Sequence, residues 1–224
     1  MLAQTPTTAA IAVKPAARPA ASHALLGSIE LMGAPMSFGR NEEIFGENEP
    51  AEYVYKVVSG TVRTYRILND GRRQIGAFHL PGDIFGLEAG DDHTFSAEAI
   101  GEATVLVVKR STVTALAQRD GGVARQLWNL TARELHRAQE HMLLLIKSAQ
   151  ERVAGFLLEM AGRGPAGNTV ELPMSRQDIA DYLGLTIETV SRTLTQLESG
   201  GTIALPSSRR VVLRNRQALC ALSA

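Results

Sequence analysis

The 224-residue chain is expected to adopt an α+β fold in two parts. An antiparallel β-roll of jelly-roll type comes first, and a long helix joins it to a C-terminal helix-turn-helix carrying a β wing. Three observations predict this. Short stretches rich in Val, Ile, Tyr and Thr alternate with turn residues from about Leu31 to Lys109. Apolar residues then recur every seven positions, and residues 175 to 197 (SRQDIADYLGLTIETVSRTLTQL) divide into two short helices at Gly184.

In chain order, residues 1–27 are rich in Ala, Pro and Thr with few large apolar side chains, and are expected to form a disordered tail. They lack the apolar core of a secretory signal and are poor in basic residues, which argues against a transit peptide. Residues 28–117 are assigned to the roll. Tyr53 to Val58 precedes a turn at Ser59 and Gly60, Thr61 to Leu68 precedes Asn69, Asp70 and Gly71, and Gln74 to Leu80 precedes Pro81, Gly82 and Asp83. Ser96 to Ala99 and Ala103 to Val108 complete the series. Many short strands without intervening helices imply a sandwich or jelly roll.

A long helical segment is expected from about Thr112 to Gly162, with residues 118–148 as a dimerisation helix. Trp128, Leu135, Met142 and Ala149 repeat every seven residues, and Ala124, Thr131, Ala138 and Leu145 hold the second seam position of a coiled coil. Trp128, Leu135, Ala138, Met142 and Leu145 are therefore candidate dimer contacts, with Leu143, Leu144 and Ile146 free to face the chain's own domains. The alternative is a helix packed wholly against its own roll.

Residues 149–224 are assigned to the winged helix-turn-helix. Ser175 is placed to cap the first helix, with Asp178 giving its first turn negative charge, and an uncluttered helix start can hold a phosphate. In the second helix Val190, Leu194 and Leu197 share one face, while Glu188, Ser191, Arg192 and Thr195 share another. One face packs and the other is free to read. Thr202 to Leu205 and Arg210 to Leu213 flank Pro206, Ser207 and Ser208 as a hairpin with Arg209 and Arg210 near its tip.

The polar face has chemistry suited to the DNA major groove. Arg192 can donate two bonds to guanine O6 and N7, Glu188 can accept from cytosine N4, and Ile187 can meet a thymine methyl. Ser191 completes the reading set. Ser175, Arg176 and Thr186 at the helix starts, with Arg209 and Arg210 on the wing, are expected on the phosphate backbone, where contacts position without specifying sequence. The bland alternative is an amphipathic surface helix on which Glu188 and Arg192 form an i, i+4 ion pair of about 0.3 to 0.5 kcal/mol.

With 23 basic and 23 acidic residues the chain is no generic polycation, so DNA binding must come from local geometry in a site-specific dimer. No apolar run reaches the ~18 residues needed to span a bilayer, and no membrane partner is expected. One cysteine, Cys220, rules out an intramolecular disulfide framework and suits the cytoplasm; it reads as a packing residue. His136 and His141 lie five apart on a helix, about 140° from one another, and His79 stands alone in an apolar strand. No nucleophile–base pair, phosphate loop or metal spacing is present, so an enzyme is not expected and neither cofactor nor metal is assigned.

The order of roll, long helix and winged helix-turn-helix, with GAFHLPGDIFGLEA at 76–89 and ETVSR at 188–192, resembles the CRP/FNR superfamily of transcription regulators and more closely its FixK branch. The resemblance implies an FNR-type reading motif of Glu, two residues, then Ser-Arg, here Glu188, Ser191 and Arg192. Ile187 stands where the CRP type has an arginine, implying an FNR-like TTG half-site with an inverted CAA partner. It also implies an activator that touches RNA polymerase, with Asn69, Asp70, Gly71 and Arg72 aligned with one contacting loop, and control of genes for low-oxygen respiration and nitrogen fixation. Two departures stand out. Leu87 and Phe95 replace the glutamate and arginine of the cyclic nucleotide pocket, and a buried cyclic phosphate without its arginine lacks charge-assisted partners, so no cyclic AMP binding is expected. One cysteine also cannot supply the four thiolates of an iron–sulfur cluster. The expectation is a homodimer competent for DNA without a small molecule; the alternative is a sensor whose roll binds a non-nucleotide effector.

Overall fold

The computed structural model describes residues 24–223. Helix α1 (Ala24–Met32) leads into eight strands: β1 (Ala34–Phe38), β2 (Glu43–Phe45), β3 (Tyr53–Ser59), β4 (Val62–Ile67), β5 (Arg73–His79), β6 (Ile84–Phe85), β7 (Ser96–Ala99) and β8 (Ala103–Lys109). They form two four-stranded antiparallel sheets, ordered β1-β8-β3-β6 and β2-β7-β4-β5. Phe38, Phe45, Tyr55, Val57, Val62, Phe85 and Val105 fill the space between them. Gly60 enables the β3–β4 turn: its φ is +79°, and a Cβ there would lie 2.3 Å from the Glu102 carbonyl oxygen.

Helices α2 (Arg110–Arg119), α3 (Gly121–Leu145) and α4 (Ala149–Arg163) follow. Strand β9 (Thr169–Glu171), the helix pair α5 (Arg176–Leu183) and α6 (Ile187–Ser199), strands β10 (Ile203–Ser207) and β11 (Arg210–Leu213), and α7 (Arg216–Ser223) complete the chain. The second half has its own antiparallel sheet, β10-β11-β9.

Three expectations need correction. The tail expected over 1–27 falls for residues 1–23 outside the described residues, but from Ala24 the backbone is helical. Leu25 and Ile29, one turn apart, bury against Val54, Val108, Val123 and Leu130, and that burial holds the helix. Leu31, expected to open the β region, belongs to this helix too.

The long helical segment expected over 112–162 is three helices, the last of them beginning at the assigned 148/149 boundary. Asp120 starts α3 by accepting from the Gly122 and Val123 N–H groups, and Ser148 starts α4 with a full capping box: its hydroxyl accepts from Glu151 N–H while the Glu151 carboxylate accepts from Ser148 N–H at 2.7 Å. The seven-residue series thus stops at Met142, and Ala149 lies beyond the break. Of the apolar residues expected to face the chain's own domains, Leu144 packs on the C-terminal core, whereas Leu143 and Ile146 are exposed.

One apolar core crosses from roll to reader. Ile75, Phe78 and Ile100 of the roll pack with Phe156, Leu157, Ile179, Tyr182, Leu183 and Leu194. The Phe78 and Tyr182 ring centroids are 5.1 Å apart, and His141 of α3 stacks on Tyr182 at 4.0 Å. This contact sets the reader's position on the roll.

Candidate nucleic-acid interface

The reader is built by caps. Ser175 starts α5, its hydroxyl accepting from Asp178 N–H at 3.1 Å and donating to Asp178 Oδ2 at 2.7 Å, while Asp178 Oδ2 also accepts from Ser175 N–H at 2.9 Å. Gly184 ends the helix at φ 61°, ψ 40°, a left-handed conformation that glycine adopts without steric cost. Two residues later Thr186 starts α6, accepting from Thr189 N–H at 3.2 Å.

On α6 the expected division holds. Val190, Leu194 and Leu197 are buried, joined by Thr193, while Glu188, Ser191, Arg192 and Thr195 are exposed with Ile187 beside them. Among the described residues no ion pair joins Glu188 to Arg192. The Glu188 carboxyl is held below the usual carboxylate range by its own backbone N–H and then by Thr186. Arg192 therefore projects from the helix uncommitted.

The candidate backbone contacts divide. Thr186 and Arg209 are exposed, Arg209 in the tight turn that closes at the Ser207–Arg210 pair, so β10 runs on through Pro206 and Ser207. Arg210 is exposed as well, but its Nε donates to Glu171 Oε1 at 2.6 Å across the β11–β9 pair. Arg176 departs from expectation: it is half-buried, its Nη1 is enclosed without a hydrogen-bond partner, and burial lowers its pKa. The α5 start is not uncluttered either, because the Asp178 carboxylate fills it.

Sequence reasoning missed what Asp178 does. Its Oδ1 accepts from Arg63 Nη1 of β4 and from Arg73 Nη2 of β5, both at 2.8 Å, and Arg73 Nε also donates to Asp181 at 2.8 Å. Arg63 and Asp178 are almost wholly buried, and Arg63 also meets Glu98 at 2.9 Å and Asn41 at 3.2 Å. A buried ionic cluster thus ties the roll to the first reader helix. Nearby, Arg163 Nη2 donates to Asp83 and to the Phe78 carbonyl, both at 2.6 Å.

Trp128, Leu135 and Met142 lie along α3 with exposures of 75%, 59% and 61%, far above the norm for large apolar side chains. Ala138 is exposed too, and Leu145 is half-buried. Asn69, Asp70, Gly71 and Arg72 form the β4–β5 hairpin tip, where Arg72 pairs with Asp70 at 2.7 Å, while Arg73 turns inward. Between roll and α3 is a cavity of about 440 Å³ lined by Phe45, Phe85, Leu87, Phe95, Glu88 and Glu134 among others. No arginine or lysine lines it, and two carboxylates do, so its chemistry does not fit a cyclic phosphate.

A capped helix pair with an exposed polar face, beside a wing, on a β-roll with a long helix, defines a helix-turn-helix DNA-binding regulator. Residues 35–120 match the cyclic nucleotide-binding domain family and residues 151–222 the Crp-like helix-turn-helix domain family. The chain is 56% identical over 215 residues to the nitrogen fixation regulation protein FixK of Azorhizobium caulinodans, covering 93% of this chain and 84% of that one. It is 43% identical to FixK of Rhizobium meliloti, covering 87% and 93%. The solved structure of FixK2 from Bradyrhizobium japonicum superposes with a TM-score of 0.83 at 57% identity, over 86% of this chain and 98% of that one. The chain belongs to the CRP/FNR family of transcription regulators, in its FixK branch. It is a regulator with a DNA-binding helix-turn-helix, from a family that is not enzymatic.

Proposed function

We propose that the chain is a homodimeric transcription activator that reads an FNR-like inverted repeat, TTG with its CAA partner, without a cyclic nucleotide or an iron–sulfur cluster. The observation that carries this reading is the uncommitted polar face of α6. Arg192 takes the half-site guanine, Glu188 the cytosine opposite, Ser191 a further base edge and Ile187 a thymine methyl. Thr186, Arg209 and Arg210 hold phosphates, Arg210 after leaving Glu171; Ser175 joins them only when its hydroxyl leaves Asp178 Oδ2, and Arg176 only by moving out of its half-buried position. Dimerisation along Trp128, Leu135, Ala138, Met142 and Leu145 sets two readers one DNA turn apart. The Asn69 to Arg72 tip is offered to RNA polymerase. The FixK relatives are nitrogen fixation regulation proteins, which supports nitrogen fixation genes as the regulon; low-oxygen respiration genes and the cytoplasm as the site of action belong to the same proposal.

The test is fluorescence anisotropy of ligand-free protein on a TTG/CAA duplex against a scrambled one, at physiological salt. Nanomolar binding at least about a hundredfold selective is expected. Arg192→Ala should cost about 1 to 3 kcal/mol and erase preference for the half-site guanine. If it weakened all sequences equally, Arg192 would be a phosphate contact. A second reading, an effector-gated sensor, draws on the apolar cavity at Leu87 and Phe95; weak, unselective binding by ligand-free protein would favour it.

A further inference from the structure

A separate cleft of about 260 Å³ opens where the roll meets the reader, outside the roll's own cavity. Its roll side carries Arg40 and Asn41 of the β1–β2 turn with Arg63 and Arg73, and its reader side carries Ser175, Asp178 and Arg209. Four guanidinium groups therefore line it against one carboxylate. That carboxylate is fully used: Asp178 Oδ1 takes Arg63 and Arg73, and Oδ2 takes Ser175. Glu98 and Asp181 are likewise committed to Arg63 and Arg73, and Glu42 beside the turn accepts from Gly39 N–H at 2.6 Å. Arg40 and Arg209 are left exposed, with no carboxylate within ion-pair distance among the described residues. One arginine belongs to the roll and the other to the wing.

We propose that this cleft is an oxyanion site, in which Arg40 and Arg209 bind one phosphate group between roll and reader. The Arg63–Asp178–Arg73 cluster forms its floor, and the exposed Arg40 and Arg209 line the same space above it. Guanidinium groups suit phosphate because their N–H donors match its oxygens in pairs. The phosphate has two available sources: the DNA backbone flanking the half-site, since Ser175 and Arg209 are also candidate backbone contacts, or a free phosphorylated small molecule. Only the first source rests on the DNA reading proposed above.

Two measurements separate the sources. In the first, DNA-free protein is titrated with inorganic phosphate at constant ionic strength while the side-chain Nε–H resonances of Arg40 and Arg209 are followed. Saturable shifts that vanish in Arg40→Ala and in Arg209→Ala are expected of a free-phosphate site. In the second, the salt dependence of DNA affinity is compared on duplexes ending at the half-sites and on duplexes extended on both sides. A backbone source predicts that Arg40→Ala flattens the slope on extended duplexes by about two, one contact per protomer at about 0.9 each, with no change on the short ones. Arg119→Ala, an exposed arginine elsewhere on the roll side, is the control. Either positive result supports the site and names its source. Shifts equal for all arginines, together with slopes that Arg40→Ala and Arg119→Ala change alike, would overturn it.

Discussion

His79 illustrates how much one position depends on its surroundings. Its ring stacks on Phe85 at 4.8 Å, Nε2 is 3.3 Å from Thr64 Oγ1, and burial drives its pKa down to about 4 from 6.5. The unfolded chain takes up this proton near pH 6.5, whereas the folded chain resists until about 4. The stability tied to neutral His79 is therefore complete above 6.5 and lost as pH falls from 6.5 towards 4, at about 1.4 kcal/mol per pH unit. His141, also pushed down to about 4 by burial, acts with the same sign. Urea unfolding between pH 7.5 and 5 should show this fall, and His79→Phe should flatten it by about one proton. Stability independent of pH over that range would contradict the buried, neutral ring. An isolated histidine in an apolar strand signals burial in sequence, but its stacking partner six residues on is set by the fold.

At the scale of elements, caps were legible and long-range pairs were not. Ser175, Gly184 and the two faces of α6 follow from spacing, because helix ends and helix faces are decided within a few residues. The same local rules hid Asp178, which reads as an ordinary first-turn acid and yet couples α5 to β4 and β5. Removing one member of a buried ion pair costs about 3 to 5 kcal/mol because the other charge is stranded. Asp178→Ala should therefore destabilise far more than the ~1 kcal/mol of a lost cap, and Asp178→Asn, which keeps an acceptor for Ser175, should fall between wild type and Asp178→Ala. Denaturant midpoints check the order. A cost near 1 kcal/mol for Asp178→Ala would mean that the cluster contributes only its cap.

At the scale of the whole molecule, the apolar row Trp128, Leu135 and Met142 is left open by the protomer's own packing, as a seam for a second copy requires. Because these side chains are exposed, Leu135→Glu with Met142→Glu should leave the protomer folded and shift its mass to that of a monomer. Light scattering reads the mass and far-ultraviolet circular dichroism the fold. A folded variant that stays dimeric would place the interface elsewhere. What the sequence alone determined was most of the repeating or capped units: five of the roll's eight strands, the heptad on α3, the two reader helices and the wing, while the short strands β1, β2 and β6 were not read. Such signals come from periods of two and 3.6 residues and from turn chemistry, all local. The tertiary structure alone decided the burial of Leu25 and Ile29, the half-burial of Arg176 and the pairing of Arg63 with Asp178 across 115 positions, whereas the helix starts at Asp120 and Ser148 carry local capping signals. A charge's partner depends on which surfaces meet once the chain is packed, and residues so far apart leave no local pattern to read.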